Sequence, residues 1–220
     1  MYLCKRARPD IEQVLSYLCT RVSGPTIADQ FKLDRLLDFL RDTLDDRRVI
    51  GALSLEELFT WVDASFAVHP DSRSRTGGTV SFGIGVIHSK SMKQKLNTKS
   101  STEAELVGVS DYLLYHIWLI NFLSHQGYNV KKKVIYQDNQ SAIRMEKNGR
   151  NACTGNSRHV DIRYFFVHDR VRSGNLEVIY CPTDRMVADF FTKPLQGSIF
   201  RKFSNARMGY EDQDIINEGE

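Results

Sequence analysis

The pattern of apolar and polar positions divides the chain into a helical beginning and a longer mixed region. Apolar residues recur at helical spacing over residues 11–22 and again over 27–45, with Pro25 and Thr26 between the two stretches. This spacing predicts two amphipathic helices that form an αα-hairpin. Helical apolar spacing usually marks a core or a packing surface, and nothing in these two helices suggests chemistry.

The period of the pattern changes to two after Leu58, which is typical of strands. Alternation predicts one strand over residues 59–65, with Asp63 in its interior, and a second over 79–87. The stretch between them, which contains Gly77 and Gly78, is polar and rich in turn residues. The second strand is expected to return antiparallel beside the first, and a third, basic strand is expected at about 92–96.

A long helix follows the third strand and ends near Gly127. Ser or Thr followed by Glu at the third position forms a capping box at residues 100–103, which gives Glu103 a capping role. Glu105 also lies in the first turn, where acidic residues complement the helix dipole. Complementation of the helix dipole explains Glu103 better than Glu105, so Glu105 stays a candidate catalytic or metal-binding residue. The broad apolar surface of the helix predicts that it packs against the sheet.

The stretch from Val134 to Ile143 changes from strand to helix within two residues. β-Branched and aromatic residues alternate up to Asp138, and a helix follows at about 140–147. Asp138 therefore ends a strand, at the edge where ligands bind in open α/β sheets. A single Asp there is more often a helix cap than a metal ligand, so the metal hypothesis requires further carboxylates.

The remaining elements are a polar loop, a helix, a strand and a final helix. They are expected at residues 148–157, about 159–171, 175–180 and from 182–184 onward, respectively, and the final helix carries Asp189. An acidic side chain between Ala188 and two phenylalanines suits a metal-binding cleft better than a buried apolar face. The residues after Tyr210 have little to bury, and we expect them to be disordered.

Composition excludes several classes of protein. The chain has 220 residues, of which 41% are hydrophobic and 26% charged, as in ordinary soluble globular proteins. It contains no apolar run of about 18 residues, so no membrane span is expected. Its first residues lack the apolar region of a secretory signal. Four scattered cysteines, without a Cys-x-x-Cys pair, argue against a zinc site and favour a reducing compartment.

Charge is unevenly distributed along the chain. Residues 1–59 carry 9 basic and 10 acidic residues, residues 60–210 carry 21 and 12, and the last ten carry five acids and no base. A positive middle region suggests an anionic partner, with nucleic acid first. Lys90, Lys93, Lys95 and Lys99 either form a solvated edge of the sheet or follow a phosphate backbone, and the sequence favours neither.

Carboxylates recur at four positions where elements begin or end: Asp63, Glu105, Asp138 and Asp189. If the first and fourth strands are neighbours, Asp63 and Asp138 approach each other. Like charges held close together need cations or protons. Two Mg²⁺ ions about 4 Å apart suit in-line attack on a phosphodiester. Because 17 acids follow residue 59, composition alone leaves this constellation open to chance.

Several motifs in the same order identify a family. The chain resembles the C-terminal end of the Pol polyprotein of copia-like LTR retrotransposons, over their RNase H domain. The resemblance covers roughly residues 59–200, and residues 2–43 resemble the segment that follows the reverse-transcriptase palm. The matching stretches are residues 61–65 (WVDAS), 73–78 (RSRTGG), 93–95 (KQK), 100–106 (SSTEAEL), 137–143 (QDNQSAI), 158–165 (RHVDIRYF) and 188–195 (ADFFTKPL).

The resemblance implies an α/β fold of the RNase H type, in which helices flank a mixed five-stranded sheet and a small helical segment precedes it. It also implies a two-metal ribonuclease that cuts the RNA strand of RNA/DNA hybrids during reverse transcription. The implied cofactor is Mg²⁺, with Mn²⁺ as a substitute. The implied catalytic and metal-binding residues are Asp63, Glu105, Asp138 and Asp189, and the implied substrate-binding residues are Ser101, Thr102, Asn139 and Gln140. Among the latter, Gln140 matches a contact to the ribose 2′-hydroxyl, the group that distinguishes RNA from DNA.

One departure from the family pattern concerns a histidine. Many RNase H enzymes carry one on the loop before the last acidic helix, whereas residues 181–188 contain none here. His159 is a possible substitute, although a histidine at a helix start is more often structural. Asp161 and Asp184 are interpreted as surface or capping residues. The reverse-transcriptase palm is missing, so this chain alone is not expected to polymerise.

The partners implied are an RNA/DNA hybrid and the reverse-transcriptase part of the same Pol polyprotein, without a membrane. The expected location is intracellular, in a cytoplasmic virus-like particle or the nucleus. We divide the chain into a helical segment (1–58), an RNase H-like domain (59–210) and an acidic tail (211–220).

Two other functions compete with the ribonuclease: an inactive remnant that only binds nucleic acid or a Pol partner, and a related integrase or 3′–5′ exonuclease. Loss of any one carboxylate would favour the remnant, but all four are present. The QDNQS and TKPL stretches argue against an integrase or a 3′–5′ exonuclease.

Overall fold

The computed structural model of the chain describes residues 1–148, 158–174 and 176–210, without the side chains of residues 158–162 and 164. The helices are α1 (Tyr2–Arg6), α2 (Glu12–Cys19), α3 (Ile27–Asp42), α4 (Ser101–His125), α5 (Gln140–Asn148), α6 (Arg158–Arg172), α7 (Asp189–Thr192) and α8 (Gly197–Met208). The strands are β1 (Gly51–Ala52), β2 (Glu57–Ser65), β3 (Arg75–Ser81), β4 (Gly83–Ile84), β5 (His88–Lys93), β6 (Lys132–Gln137) and β7 (Glu177–Tyr180). The loop predicted after Asn148 and the predicted acidic tail lie outside these residues.

Five strands form one mixed sheet in the order β5-β3-β2-β6-β7, and β1 pairs separately with β4. β2, β3 and β5 are antiparallel neighbours, whereas β6 runs parallel to β2 and β7 runs parallel to β6. Parallel neighbours need crossover connections, and α4 and then α5 with α6 supply them. The expected mixed five-stranded sheet, flanked by helices and preceded by a helical segment, is confirmed.

Alternating residues of the central strands pack on the two faces of the sheet. Val62 and Ile135 join Leu113 of α4 in one buried cluster, while Trp61 and Tyr136 belong to a second cluster on the other face, with residues 186–188. The Trp61 and Tyr136 rings stack with centroids 5.2 Å apart. A sheet covered on both faces keeps its central strands out of water, which explains their long apolar runs.

The glycine pair that resembles a turn lies inside a strand. β3 begins at Arg75 and includes Gly77 and Gly78, so the predicted start at 79 is wrong. Neighbouring elements approach the strand too closely for side chains at these positions. A Cβ on Gly78 would lie 2.2 Å from Cδ2 of Tyr112, and one on Gly77 would lie 2.7 Å from Cβ of Phe191. The glycines therefore serve close packing rather than chain reversal.

The same hairpin ends earlier than the alternation predicts. Gly83 and Gly85 adopt φ values of 114° and 62°, a region that favours glycine, and the strand does not continue to residue 87 as predicted. The third strand then occupies His88–Lys93 rather than about 92–96. Gln94, just beyond it, donates both to Thr76 Oγ1 and to the Ala104 carbonyl at 2.9 Å, which links β5 to the start of α4.

The two predicted N-terminal helices are present as α2 and α3, and the short α1 was not predicted. Thr26 and Asp29 form a reciprocal capping box at the start of α3. Leu36 packs in a cluster with Ile11 and Cys4. Three apolar side chains on the other side of α3 and one just after its end are exposed: Ile27, Phe31 and Leu37, and Leu44. Of the two expected roles of this apolar spacing, a core or a packing surface, these four side chains do not belong to a core of the described residues, and a packing surface stays a prediction.

The predicted final helix is interrupted. A 3-10 turn spans Thr183–Arg185, α7 has four residues, and α8 follows as an unpredicted helix. Lys193 adopts extended dihedrals, with φ −113° and ψ 140°, because the residue before a proline disfavours the helical region. Pro194 therefore ends α7 directly after the residues that carry the candidate chemistry.

By length and hydropathy alone, α4 is long and apolar enough to cross a membrane, although half of its most apolar stretch is buried inside the protein. The core helix of a globular protein meets the same criterion. The expectation that no membrane is involved therefore stays a prediction.

Candidate active site

Register places Asp63 and Asp138 at equivalent positions of neighbouring strands. Trp61 of β2 pairs with Tyr136 of β6 in a parallel ladder, and each aspartate follows its aromatic residue by two positions. Side chains two apart point to the same face of a sheet. Both carboxylates therefore lie at the carboxyl edge on the face that α7 covers, with Asp63 buried and Asp138 half-buried.

Glu105 reaches the same edge from the first turns of α4. Ser100 caps the helix by accepting a bond from the Glu103 N–H at 3.1 Å, and the Glu103 carboxylate accepts one from the Lys99 N–H. Glu103 is therefore occupied by the cap. Glu105 is buried and accepts a hydrogen bond from the Ala64 N–H on β2, so the helix start is fixed against the strand that carries Asp63.

These three carboxylates form a compact group. One ligand oxygen from each of Asp63, Glu105 and Asp138 lies within 4.8 Å of those of the other two. Oε2 of Glu105 is buried and has no hydrogen-bond partner among the residues that the structure describes. A buried acceptor without a partner is costly, and three hard oxygen donors at this separation suit a divalent cation such as Mg²⁺. The residues present therefore fit the metal that the fold implies.

Asp189, the fourth predicted carboxylate, is not part of that compact group. It begins α7 and is buried, and its Oδ1 lies 2.7 Å from Nζ of Lys193. The same Nζ lies 3.7 Å from Oδ1 of Asp63. Thr192 donates to Oδ2 of Asp63. The fourth carboxylate is thus linked to the other three through Asp63 and a lysine.

Burial and mutual repulsion raise the pKa values of three of these acids. Burial, followed by the charges of Asp63 and Asp138, raises the pKa of Glu105 well above its ordinary value. The same causes, burial and then Asp63, raise the pKa of Asp138. Burial and Asp63 raise the pKa of Asp189 to about 7, although Lys193 opposes that shift. The site therefore favours bound protons or cations over free carboxylates.

The predicted substrate-binding residues surround the same edge. Ser101 and Thr102 are the first residues of α4, and Gln140 is the exposed first residue of α5. Asn139 caps α5, since its Oδ1 accepts the Ala142 N–H at 3.0 Å. Their side-chain roles toward a substrate, like the catalytic roles of the four acids, stay predictions. The side chain of His159, the possible substitute for the family's loop histidine, lies outside the described residues.

Three polar residues that touch the site were not predicted to have a role. Thr192 and Lys193 contact Asp63 from the end of α7. Gln137, which is buried, accepts the Asp138 N–H at 3.1 Å through its Oε1 and so supports the turn after β6. The spacing of Asp189 and Lys193, four residues apart on a helix, was visible in the sequence and is typical of an ion pair. The contact of Thr192 with Asp63 depends on tertiary packing and had no local signal.

The strand order and the position of the carboxylates define an α/β protein with an RNase H-like fold. No protein-family model matches the chain. Among solved structures, a metagenomic RNase H1 from compost, LC11-RNase H1, aligns with a TM-score of 0.44 and 12% identity, over 62% of this chain and 93% of that one. The same enzyme in complex with an RNA/DNA hybrid aligns with a TM-score of 0.43 and 10% identity, over 59% and 88% of the two chains.

Sequence relatives are more informative. The chain is 32% identical over 194 residues to the retrovirus-related Pol polyprotein from transposon TNT 1-94 of Nicotiana tabacum, which covers 88% of this chain and 14% of that protein. It is 30% identical over 200 residues to that of transposon RE1 of Arabidopsis thaliana, over 90% and 14%. It is 32% identical over 212 residues to the Ty1-LR3 Gag-Pol polyprotein of Saccharomyces cerevisiae, over 93% and 12%.

These relatives confirm the resemblance found in the motifs: the chain is a homologue of copia- and Ty1-type retrotransposon Pol polyproteins. The homology extends over about nine-tenths of the chain, so it includes the N-terminal helices as well as the sheet. The chain spans only about one-seventh of the length of the first two relatives.

Proposed function

We propose that the chain is a metal-dependent ribonuclease H that hydrolyses the RNA strand of RNA/DNA hybrids during retrotransposon reverse transcription. The observation that carries this proposal is the meeting of Asp63, Glu105 and Asp138 within 4.8 Å. Two strands and a helix that are distant in the sequence supply these residues, so a chance cluster of surface acids is a poor explanation. The buried Oε2 of Glu105, without a partner, and the homology to Pol polyproteins support the same function.

Asp63, Glu105, Asp138 and Asp189 would hold two Mg²⁺ ions, for which Mn²⁺ would substitute. When bound, the ions supply Lewis acidity, which activates a water molecule and stabilises the leaving 3′-oxygen. The protein itself supplies position: β2 and β6 fix two carboxylates at the edge of the sheet, and Thr192 orients Asp63 through its hydrogen bond. Addition of the water oxygen to phosphorus and departure of the 3′-oxygen leave 5′-phosphate and 3′-hydroxyl ends.

Selection for RNA is proposed to come from the residues beside the carboxylates. Gln140 is exposed at the start of α5 and would contact a ribose 2′-hydroxyl, which DNA lacks. The Oδ1 atom of Asn139 caps α5, so its amide N–H groups stay free to donate to the substrate. Ser101 and Thr102 would lie near the minor groove of the hybrid.

The context of the reaction is also a proposal. We propose that the reverse-transcriptase part of the same Pol polyprotein is the partner, and that the enzyme acts inside the cell, in a cytoplasmic virus-like particle or the nucleus. We keep residues 59–210 as the nuclease domain and residues 1–58 as its helical extension. The Pol polyprotein relatives support the partner, and we propose that no membrane takes part.

The deciding experiment is cleavage of an RNA/DNA hybrid labelled on the RNA strand, in Mg²⁺ or Mn²⁺, with RNA and DNA duplexes as further substrates. We expect only the hybrid to be cut. Asp138→Asn should lower the rate by about 10³-fold or more, as removal of a catalytic group often does. The variant should keep its fold, because removing one of several repelling charges relieves repulsion.

Asp169→Asn is the matched control, since it makes the same chemical change at an exposed position on α6. It should cleave like the parent. Equal cleavage by Asp138→Asn would rule out the metal assignment. Binding of the hybrid without cleavage under both metals would favour the inactive remnant over the enzyme.

A further inference from the structure

One lysine lies among the four carboxylates, and it faces two of them more closely than the others. Lys193 follows the last residue of α7, and its N–H closes the helix on the Asp189 carbonyl at 2.8 Å. Its side chain folds back over the same turn, so that Nζ lies 2.7 Å from Oδ1 of Asp189 and 3.7 Å from Oδ1 of Asp63. One ammonium group therefore bridges two carboxylates from different elements.

This bridge separates the site into two unequal halves. Asp63, Glu105 and Asp138 form the compact group, and among the described residues Asp63 is the member that contacts Lys193, whereas Glu105 and Asp138 form no ion pair and Oε2 of Glu105 has no hydrogen-bond partner. Asp63 and Asp189 form the other half, and the Lys193 ammonium lies between them. The first half therefore contains two carboxylates that are not paired with Lys193, whereas both carboxylates of the second half face its ammonium group.

An ammonium group and a divalent ion cannot share the second half. Mg²⁺ binds carboxylate oxygens at about 2.1 Å, and the Oδ1 atoms that face Lys193 belong to the two acids of that half. Two cations held that close repel each other. Lysine has a flexible four-carbon stem, and the side chain of Lys193 is 39% exposed, so it can swing into solvent when an ion arrives.

We propose that Lys193 is an internal cation of the active site, which occupies the space between Asp63 and Asp189 until a second divalent ion displaces it. We rest this inference on the proposed function, since it concerns the same carboxylates. Lys193 would act as a positioning residue: it would hold α7 against β2 before the second ion binds. The chain should consequently bind its two ions with unequal affinities.

Titration of the full chain with Mn²⁺, without nucleic acid, tests this inference. Isothermal calorimetry and electron paramagnetic resonance count the bound ions. We expect the parent to bind a second ion at least about tenfold more weakly than the first, a difference typical of linkage between two sites. Lys193→Met keeps the stem and removes the charge, so the second ion should bind about tenfold more tightly than in the parent, with little change for the first. Lys193→Arg keeps the charge and should behave like the parent.

Lys202→Met is the matched control, because Lys202 is an exposed lysine on α8 that donates to a backbone carbonyl, that of Asp184. It should leave both affinities unchanged. Melting in EDTA gives a second readout: Lys193→Met should melt below the parent, and saturating Mn²⁺ should raise its melting temperature by more than it raises that of the parent.

An unchanged or weaker second affinity in Lys193→Met would overturn the role of Lys193, while hybrid cleavage by the parent would leave the proposed function intact. Conversely, a tighter second ion in a chain that cuts no hybrid would support the internal cation and count against the ribonuclease. A parent chain that binds no divalent ion would overturn both.

Discussion

Two clusters of buried charged residues lie against the same sheet, and they differ in whether other groups of the chain pair with the buried acid. Under the N-terminal helices, Glu12 is fully buried, and it accepts bonds from Lys5, from the Ser89 hydroxyl and from the Ser91 N–H, the last at 3.1 Å. At the carboxyl edge, Glu105 is almost as deeply buried, yet its Oε2 has no partner and its close neighbours are acids.

The difference shows how a structural acid can be told from a functional one. A buried carboxylate that is paired and hydrogen-bonded holds elements together, whereas a buried carboxylate among other carboxylates costs stability until something else neutralises it. The first arrangement is complete within the chain. The second is incomplete, and it therefore points to a ligand from outside.

The two clusters are also physically connected through α7. Arg75 donates to Ser16 of α2 at 3.0 Å and to Ser91 at 2.8 Å, and the Ser91 hydroxyl donates to the Phe191 carbonyl at 2.6 Å. Arg207 lies 3.7 Å and 4.3 Å from the ring centroids of Phe190 and Phe191 and donates to the Pro9 carbonyl. Contacts from the N-terminal segment thus fix the position of α7, the short helix that carries Asp189.

The largest expected effect is at Glu12. Glu12→Ala would leave the Ser89 hydroxyl and the Ser91 N–H without their acceptor and Lys5 without its carboxylate partner, so the free energy of unfolding should fall by about 4 kcal/mol, as it does when a buried pair is broken. Urea unfolding followed by circular dichroism measures it. Glu56→Ala removes an acid from an exposed pair with Lys131 and should cost less than about 1 kcal/mol. Equal losses would remove the distinction between the two kinds of acid.

A third buried acid is Glu146 on α5, which among the described residues belongs neither to an ion pair nor to the carboxylate group. It is fully buried, neither carboxylate oxygen has a hydrogen-bond partner within the described part of the chain, and burial raises its pKa to about 8. A carboxyl whose folded-state pKa is raised stabilises the protein below its unfolded pKa, and that stability is lost as pH rises through the folded value. The parent should therefore lose about 2 kcal/mol more than Glu146→Gln between pH 6 and pH 8, at about 1.4 kcal/mol per pKa unit.

The measurement is the free energy of unfolding at several pH values, compared between parent and variant. The buried His69 and His116 and the half-buried His88 have pKa values lowered to about 4, but they titrate alike in both proteins and cancel in the difference. Glu177→Gln, at an exposed position of β7, should show the pH dependence of the parent. If Glu146→Gln keeps that dependence too, Glu146 is ionised in the folded protein.

The sequence was sufficient for the parts of the site that local pattern determines. Alternation placed Asp63 inside a strand and Asp138 at the end of another, and the capping box separated Glu103 from Glu105. Each of these inferences uses residues a few positions apart. The order of strands was not readable from the pattern, so the approach of Asp63 to Asp138 depended on an assumption about neighbours that the parallel ladder between β2 and β6 confirms.

The sequence was insufficient where distant residues decide the structure. Gly77 and Gly78 look like a turn, but they lie in a strand because Phe191 and Tyr112 approach them from other elements. The apolar spacing of α3 does not reveal that Ile27 and Phe31 are exposed, since a pattern shows a face and not what covers it. Lys193 lies within the motif at residues 188–195, but its contact with Asp63 depends on the fold.

The smallest expected effect has the opposite sign to that at Glu12. Glu105→Gln removes a charge that Asp63 and Asp138 repel and keeps a carbonyl that can accept the Ala64 N–H, so in EDTA at pH 8 the free energy of unfolding should rise by about 1 kcal/mol. In excess Mg²⁺ the parent should instead have the higher free energy of unfolding. It binds the ion more tightly than the variant, and a ligand that prefers the folded state stabilises that state. Glu103→Gln, two residues away in the capping box, should not become more stable in EDTA. A loss of stability in Glu105→Gln under EDTA would mean that Glu105 is a structural acid like Glu12, and the contrast between the two clusters would fail.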